Sequence, residues 1–198
     1  MLLRNLIICF SILLSGISLS QENTHPLVDA ARSQVGVTKR YDGSYVALKY
    51  PGGDIPMETG VCTDVVIRAL RKGYTQDLQK LVHLDMKANF AKYPKIWGLK
   101  RTDRNIDHRR VPNLQTYFKR MGYALKLTDK PENFKAGDLV TSMLPGNLPH
   151  IMIVSDKKNA KGVPFIIHNI SGGAQEEDGL FDYKLTGHYR IPLPTNAP

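Results

Sequence analysis

Three residues carry the reactive side chains of this sequence: Cys62 in Gly60-Val61-Cys62-Thr63-Asp64-Val65-Val66, His150 heading His-Ile-Met-Ile-Val-Ser, and His168 inside Pro-Phe-Ile-Ile-His-Asn-Ile. Together they point to thiol chemistry, in which a sulfur attacks a carbonyl carbon while an imidazole holds the proton and later delivers it to the leaving group. Cys62 opens a segment of helical spacing, where free backbone N–H groups and the helix dipole favour negative charge, so its position predicts a lowered thiol pKa. The preceding Gly60 would let a substrate backbone approach closely. Asp64 either caps the same helix end or touches substrate. Alternation groups His168 with Ile166 and Ile170 and sends Asn169 with Ile167 to the other side, so only one of this pair can serve a common site. The bland reading of each histidine is a hydrogen-bonded core residue; two of them on neighbouring strands, downstream of a helix-start cysteine, bring the chemical reading level with it.

A second polar cluster, Asn105-Ile106-Asp107-His108-Arg109-Arg110, has its own chemistry. Arg109 or Arg110 suits bidentate recognition of a substrate carboxylate, and Asp107 with His108 suits a substrate amine. The competing reading is a loop in which Asp107 caps a helix and the arginines are solvated. His188 and Arg190 fall on one face with Thr186, either as a rim or as a satisfied sheet edge. His25 and His83 fall on helical segments as surface or packing residues. Asp107, His108, His150 and His168 include zinc-ligand types, yet no H-E-x-x-H string or close Cys/His pair joins them. Neither a metal nor a cofactor is expected.

The elements that must position these groups follow from length and pattern. At 198 residues, 42% of them hydrophobic, the chain suits one globular domain. Residues 1–20 have the layout of a secretory signal: Arg4, a short apolar run, then Ser18-Leu19-Ser20. Its removal takes Cys9 and leaves Cys62 as the single thiol of residues 21–198, which excludes an internal disulfide. The expected location is periplasmic or secreted, with membrane contact only during export. A net charge of +9 suits an anionic partner such as a cell-wall polymer. Export and the lack of aromatic–basic interleaving argue against nucleic acid.

Helical spacing predicts helices from His25 to Val35, from Cys62 to Lys72 with Gly73 as its stop, from Thr75 to Tyr93 capped by Thr75, and from about Pro112 to Met121. A turn-rich stretch fills Tyr41 to Gly60. Strand spacing predicts strands at Tyr123–Leu127, Asp138–Met143, His150–Ser155, Pro164–Ile170 and Thr186–Ile191. Helices first and hairpin-spaced strands second indicate an α+β domain with a C-terminal antiparallel sheet.

With Cys62 at a helix start, Gly137-Asp138-Leu139-Val140, Pro149-His150-Ile151-Met152-Ile153-Val154 and Phe165-Ile166-Ile167-His168, the chain resembles the NlpC-type branch of papain-like cysteine peptidases over residues 26–191. Strings such as Val-Cys-Thr-Asp-Val-Val, Asn-Ile-Asp-His-Arg-Arg-Val-Pro-Asn-Leu and Gly-His-Tyr-Arg also resemble an exported bacterial branch catalogued as a domain of unknown function. The resemblance implies a papain-like fold with N-terminal helices; the helical insert at 75–122 departs from the compact family core. It implies Cys62 as nucleophile, His150 as base and His168 as the group orienting His150. The family's oxyanion tyrosine finds its nearest match in Tyr50, with Tyr45 second. Thr63-Asp64 replaces the family's usual Ser-Gly. The expected activity is a monomeric thiol hydrolase, an amidase or peptidase acting on peptidoglycan or other cell-wall peptides. A non-catalytic wall-binding protein on the same fold and a thiol acyltransferase are the alternatives.

Overall fold

The computed structural model describes residues 25–194, so the signal sequence expected at 1–20 lies outside the described residues. Helix α1 spans Pro26–Arg32, with proline at its start where an N–H would go unused. Two short strands, β1 (Arg40–Tyr41) and β2 (Thr59–Gly60), pair in parallel across the turn-rich stretch. Helix α2 covers Cys62–Tyr74, and its entry is fixed by the Asp64 carboxylate, which accepts the Val61 N–H at 2.7 Å. Gly73 does not end this helix, which runs on until Thr75 adopts a left-handed φ of 56°. Gly73 is instead a close-packing residue: a Cβ there would sit 2.6 Å from the Pro26 carbonyl oxygen of α1. Helix α3 is shorter than the periodicity predicts, Leu78–Ala88, because Asp77 rather than Thr75 caps it by accepting the Gln79 N–H. Helix α4 is Val111–Arg120.

Five antiparallel strands complete the molecule: β3 (Leu139–Leu144), β4 (Leu148–Lys158), β5 (Pro164–Asn169), β6 (Ala174–Glu177) and β7 (Lys184–Tyr189). Their spatial order is β6-β5-β4-β3-β7. The architecture is thus mixed α+β, four helices and a five-stranded antiparallel sheet. Residues 123–127 form no strand; Ala124 alone bridges to Tyr189. Strand β6 has no counterpart in the sequence reading, because Ala-Gln-Glu-Glu lacks β-branched or aromatic residues.

Alternation gives the sheet two buried faces. Leu139, Ile151, Ile153, Ile167 and Tyr189 pack with α1, α2 and α4, while Val140, Met152, Val154 and Ile166 close over Phe134 and Leu180. The β4–β5 ladder extends from Lys158–Pro164 to Ile153–Ile167 and stops there. Beyond that point the start of β4 is paired with β3 alone, through Ile151–Thr141 and His150–Ser142.

Candidate functional site

Cys62 is the first residue of α2 and only 4% exposed, but it lines a cleft of about 390 Å³ with Tyr41, Val61, Trp97, Arg110, Asn147 and Pro149. Burial raises its thiol pKa to about 11, against the N–H groups of Ile151 and Thr63, which favour the thiolate; the nearby Asp64 charge adds to the rise. The lowered pKa expected from the helix start is therefore reversed, because removal of water costs the thiolate more than the helix end returns. Gly60 is hemmed in by the protein itself: a Cβ there would lie 3.3 Å from both the Arg68 guanidinium and the Asp64 Cβ. Arg68 binds Asp54 with two nitrogens and the Thr59 carbonyl with a third, which secures the approach to Cys62.

His150 and His168 share the face of Met152 and Ile166, away from α2. Cys62 approaches from the helix side, at the place where the β4–β5 ladder has opened and the N–H of Ile151, the residue after His150, faces the sulfur. Among the described residues no hydrogen bond joins Cys62 to His150. His150 Nε2 lies 2.8 Å from His168 Nδ1, and His168 Nε2 lies 2.8 Å from Glu177 Oε1 on β6. A carboxylate only accepts, so His168 Nε2–H donates to Glu177, His168 Nδ1 accepts, and His150 Nε2–H donates to it. That chain leaves His150 Nδ1 as the nitrogen with a free lone pair. Unlike the Nδ1 atoms of His25, His83 and His188, it is not sealed away without a partner. Burial, and then the neighbouring His168, push the His150 pKa down to about 3, so the ring rests neutral. Asn169 faces the other way and ties β5 to the entry of α2 through a 2.9 Å bond to the Gly60 carbonyl.

The remaining candidates divide clearly. Asp64 and Arg109 are both spent on each other, through two 2.9 Å bonds in the protein interior, and Arg109 also holds the Ser44 carbonyl. Asp107 and His108 are buried, with burial raising the Asp107 pKa and lowering that of His108 to about 4. Arg110 lies on the cleft wall, its guanidinium 4.3 Å above the Trp97 ring. Tyr50 packs against His83 and under Arg104, and Tyr45 bonds Asp103 and Asn105, so neither lines the cleft. Tyr41 does line it, and burial followed by the Cys62 and Asp64 charges raises its phenol pKa. Sequence reasoning missed Tyr41 because a two-residue strand leaves no periodic signal, and it missed Glu177 along with the strand that carries it. His188 and Arg190 converge on Asp138 with bonds of 2.6–2.7 Å near the sheet edge, although His188 Nδ1 is buried without a partner. Among the described residues no three His, Cys, Asp or Glu side chains gather as metal ligands.

A family model described as a domain of unknown function (DUF1287) matches residues 28–191, and the chain belongs to that family. It is 55% identical over 171 residues to the uncharacterized protein YijF of Escherichia coli (strain K12), covering 86% of this chain and 83% of that protein.

Proposed function

We propose that this DUF1287 chain is an exported thiol hydrolase of the periplasm or cell exterior, built on a papain-like fold and cleaving an amide in cell-wall peptides. The observation that carries the reading is a helix-start cysteine on an open cleft with the Ile151 N–H facing its sulfur, next in sequence to His150, whose ring is tied through His168 to Glu177. As Cys62 Sγ attacks the carbonyl carbon, its proton passes to His150 Nδ1, and the imidazolium so formed is stabilised through His168 and Glu177. Both groups rest neutral, so the thiolate forms only with bond formation. The two side chains come into hydrogen-bond contact only when substrate arrives. The oxyanion takes donors from Tyr41 and from the first-turn N–H of Cys62. The C–N bond then breaks, His150 Nδ1–H protonates the departing amine, and a water deprotonated by the same nitrogen hydrolyses the thioester.

The decisive measurement is digestion of purified peptidoglycan, with fragments identified by mass. Wild type releases peptide fragments, and Cys62→Ala loses at least about a thousandfold in rate. Equal fragment release by both proteins would defeat the reading. The thiol pKa near 11 supports a second reading, a wall-peptide-binding protein with an idle cysteine. That reading predicts retention on peptidoglycan, equal for wild type and Cys62→Ala, with no new fragments.

A further inference from the structure

The two adjacent arginines of the cleft differ in what they have left to give. Arg109 has its Nε and one Nη on Asp64 and its other Nη on a backbone carbonyl, so its charge and its donors are consumed. Among the described residues Arg110 makes no side-chain hydrogen bond: its Nη1 is buried without a partner, and the remainder of its guanidinium belongs to a side chain 19% exposed on the cleft wall. The nearest carboxylate, Asp107, is 3.5 Å from that nitrogen without bonding geometry, and its Oδ1 is itself unpartnered. The Arg110 guanidinium lies 4.3 Å over the Trp97 ring, and Ile96, Val111 and Pro112 form an apolar part of the wall, with Tyr41 and Asn147 as polar members of the same lining. A rigid planar cation with a free donor, at the rim of an apolar pocket next to a thiol, is the arrangement that fixes a carboxylate relative to a reacting carbonyl.

We propose that Arg110 is the specificity residue of this cleft and that its ligand is a free carboxylate carried by the substrate close to the scissile amide, whose aliphatic part lies against Ile96, Trp97 and Val111. The inference rests on the thiol-hydrolase reading for the word substrate, but the anion site itself can be tested without turnover. Alkylation of Cys62 by iodoacetate and by iodoacetamide compares an anionic and a neutral reagent of nearly the same size. The iodoacetate-to-iodoacetamide rate ratio at Cys62 is expected to exceed that of glutathione by about tenfold, to fall to the glutathione value in Arg110→Gln, and to be largely kept in Arg110→Lys. A ratio equal to that of glutathione, a ratio unchanged in Arg110→Gln, or no alkylation by either reagent overturns the site.

Trp97 is the single tryptophan of the chain, so its fluorescence gives a second readout. Soluble cell-wall peptides titrated into Cys62→Ala should shift its emission, and the same peptides with their carboxyls converted to carboxamides should bind about tenfold more weakly. Equal binding of the two peptide sets counts against Arg110. A retained anion preference with no peptidoglycan cleavage by wild type leaves the carboxylate site standing and removes the hydrolase reading, so the two failures are separable.

Discussion

Two imidazole–carboxylate networks share one face of the sheet. Across β4, β5 and β6, His150 leads through His168 to Glu177, whose side chain is 45% exposed. Across β3 and β7, His188 meets Asp138, which is 1% exposed and also gripped by Arg190. Burial alone would raise the Asp138 pKa, but the bonds from His188 and Arg190 hold it below the usual carboxylate range. His188 stacks on Phe134 at 4.5 Å, with its other nitrogen sealed and unpartnered. The second network is closed at both ends and works as a clamp. The first ends in a half-exposed carboxylate at one side and, at the other, in the His150 ring, whose Nδ1 makes no hydrogen bond among the described residues. Histidine and carboxylate at 2.7–2.8 Å are common to both, and the role follows from what remains unbonded.

Substitutions should separate the two. His150→Ala, at the open network, is expected to cost about a thousandfold or more in the rate of peptidoglycan cleavage, with thermal unfolding within a few degrees of wild type. Retained cleavage would place the base elsewhere. Asp138→Ala, at the closed network, leaves Arg190 and His188 without their acceptor and should lower unfolding free energy by about 3–5 kcal/mol in denaturant titrations. Its cleavage rate per folded molecule should stay close to wild type. Glu177→Gln should reduce cleavage about tenfold while hardly moving the denaturation midpoint, since the carboxylate it replaces is half in water. A large stability loss there would make the two networks alike.

The smallest expected effect is in pH dependence, and its window differs between the networks. An unfolded histidine binds a proton near pH 6.5, whereas folded His150 resists it down to about 3, so stability falls as pH drops through that interval. His108, lowered to about 4, adds to the same decline. His150→Gln should flatten part of the slope of unfolding free energy against pH. Asp138 has a depressed folded pKa, so its contribution is complete above about 3.8 and fades only below it. Asp138→Asn should therefore change the slope only in that more acidic range. A His150→Gln slope identical to wild type would mean the ring is not sheltered.

Much of this arrangement is legible in the chain. Cys62 at a helix start and the opposite facing of His168 and Asn169 follow from periodicity, because a helix N-terminus and a strand's two faces are local properties; that His150 shares the His168 face depends on the register of β4 with β5. The split between Arg109 and Arg110 is not legible, since adjacent residues of one type carry one local signal and only the position of Asp64 in space selects Arg109. That Tyr41, and not Tyr50, lines the cleft is hidden for a similar reason, as the parallel pairing of residues 40–41 with 59–60 is a long-range contact.

By itself the sequence determined the α+β order of elements, the lone thiol within residues 21–198 and the residue types able to do its chemistry. Tertiary structure decided the protonation of that chemistry. Burial, which no local pattern measures, raised the thiol to about 11 and lowered His150 to about 3. Tertiary pairing also supplied the third member of the hydrogen-bonded chain, because Glu177 reaches His168 only when an unpatterned edge strand pairs beside β5. Short-range periodicity encodes which face a side chain takes; what stands opposite that face, and how much water is left there, depends on contacts made across the whole chain.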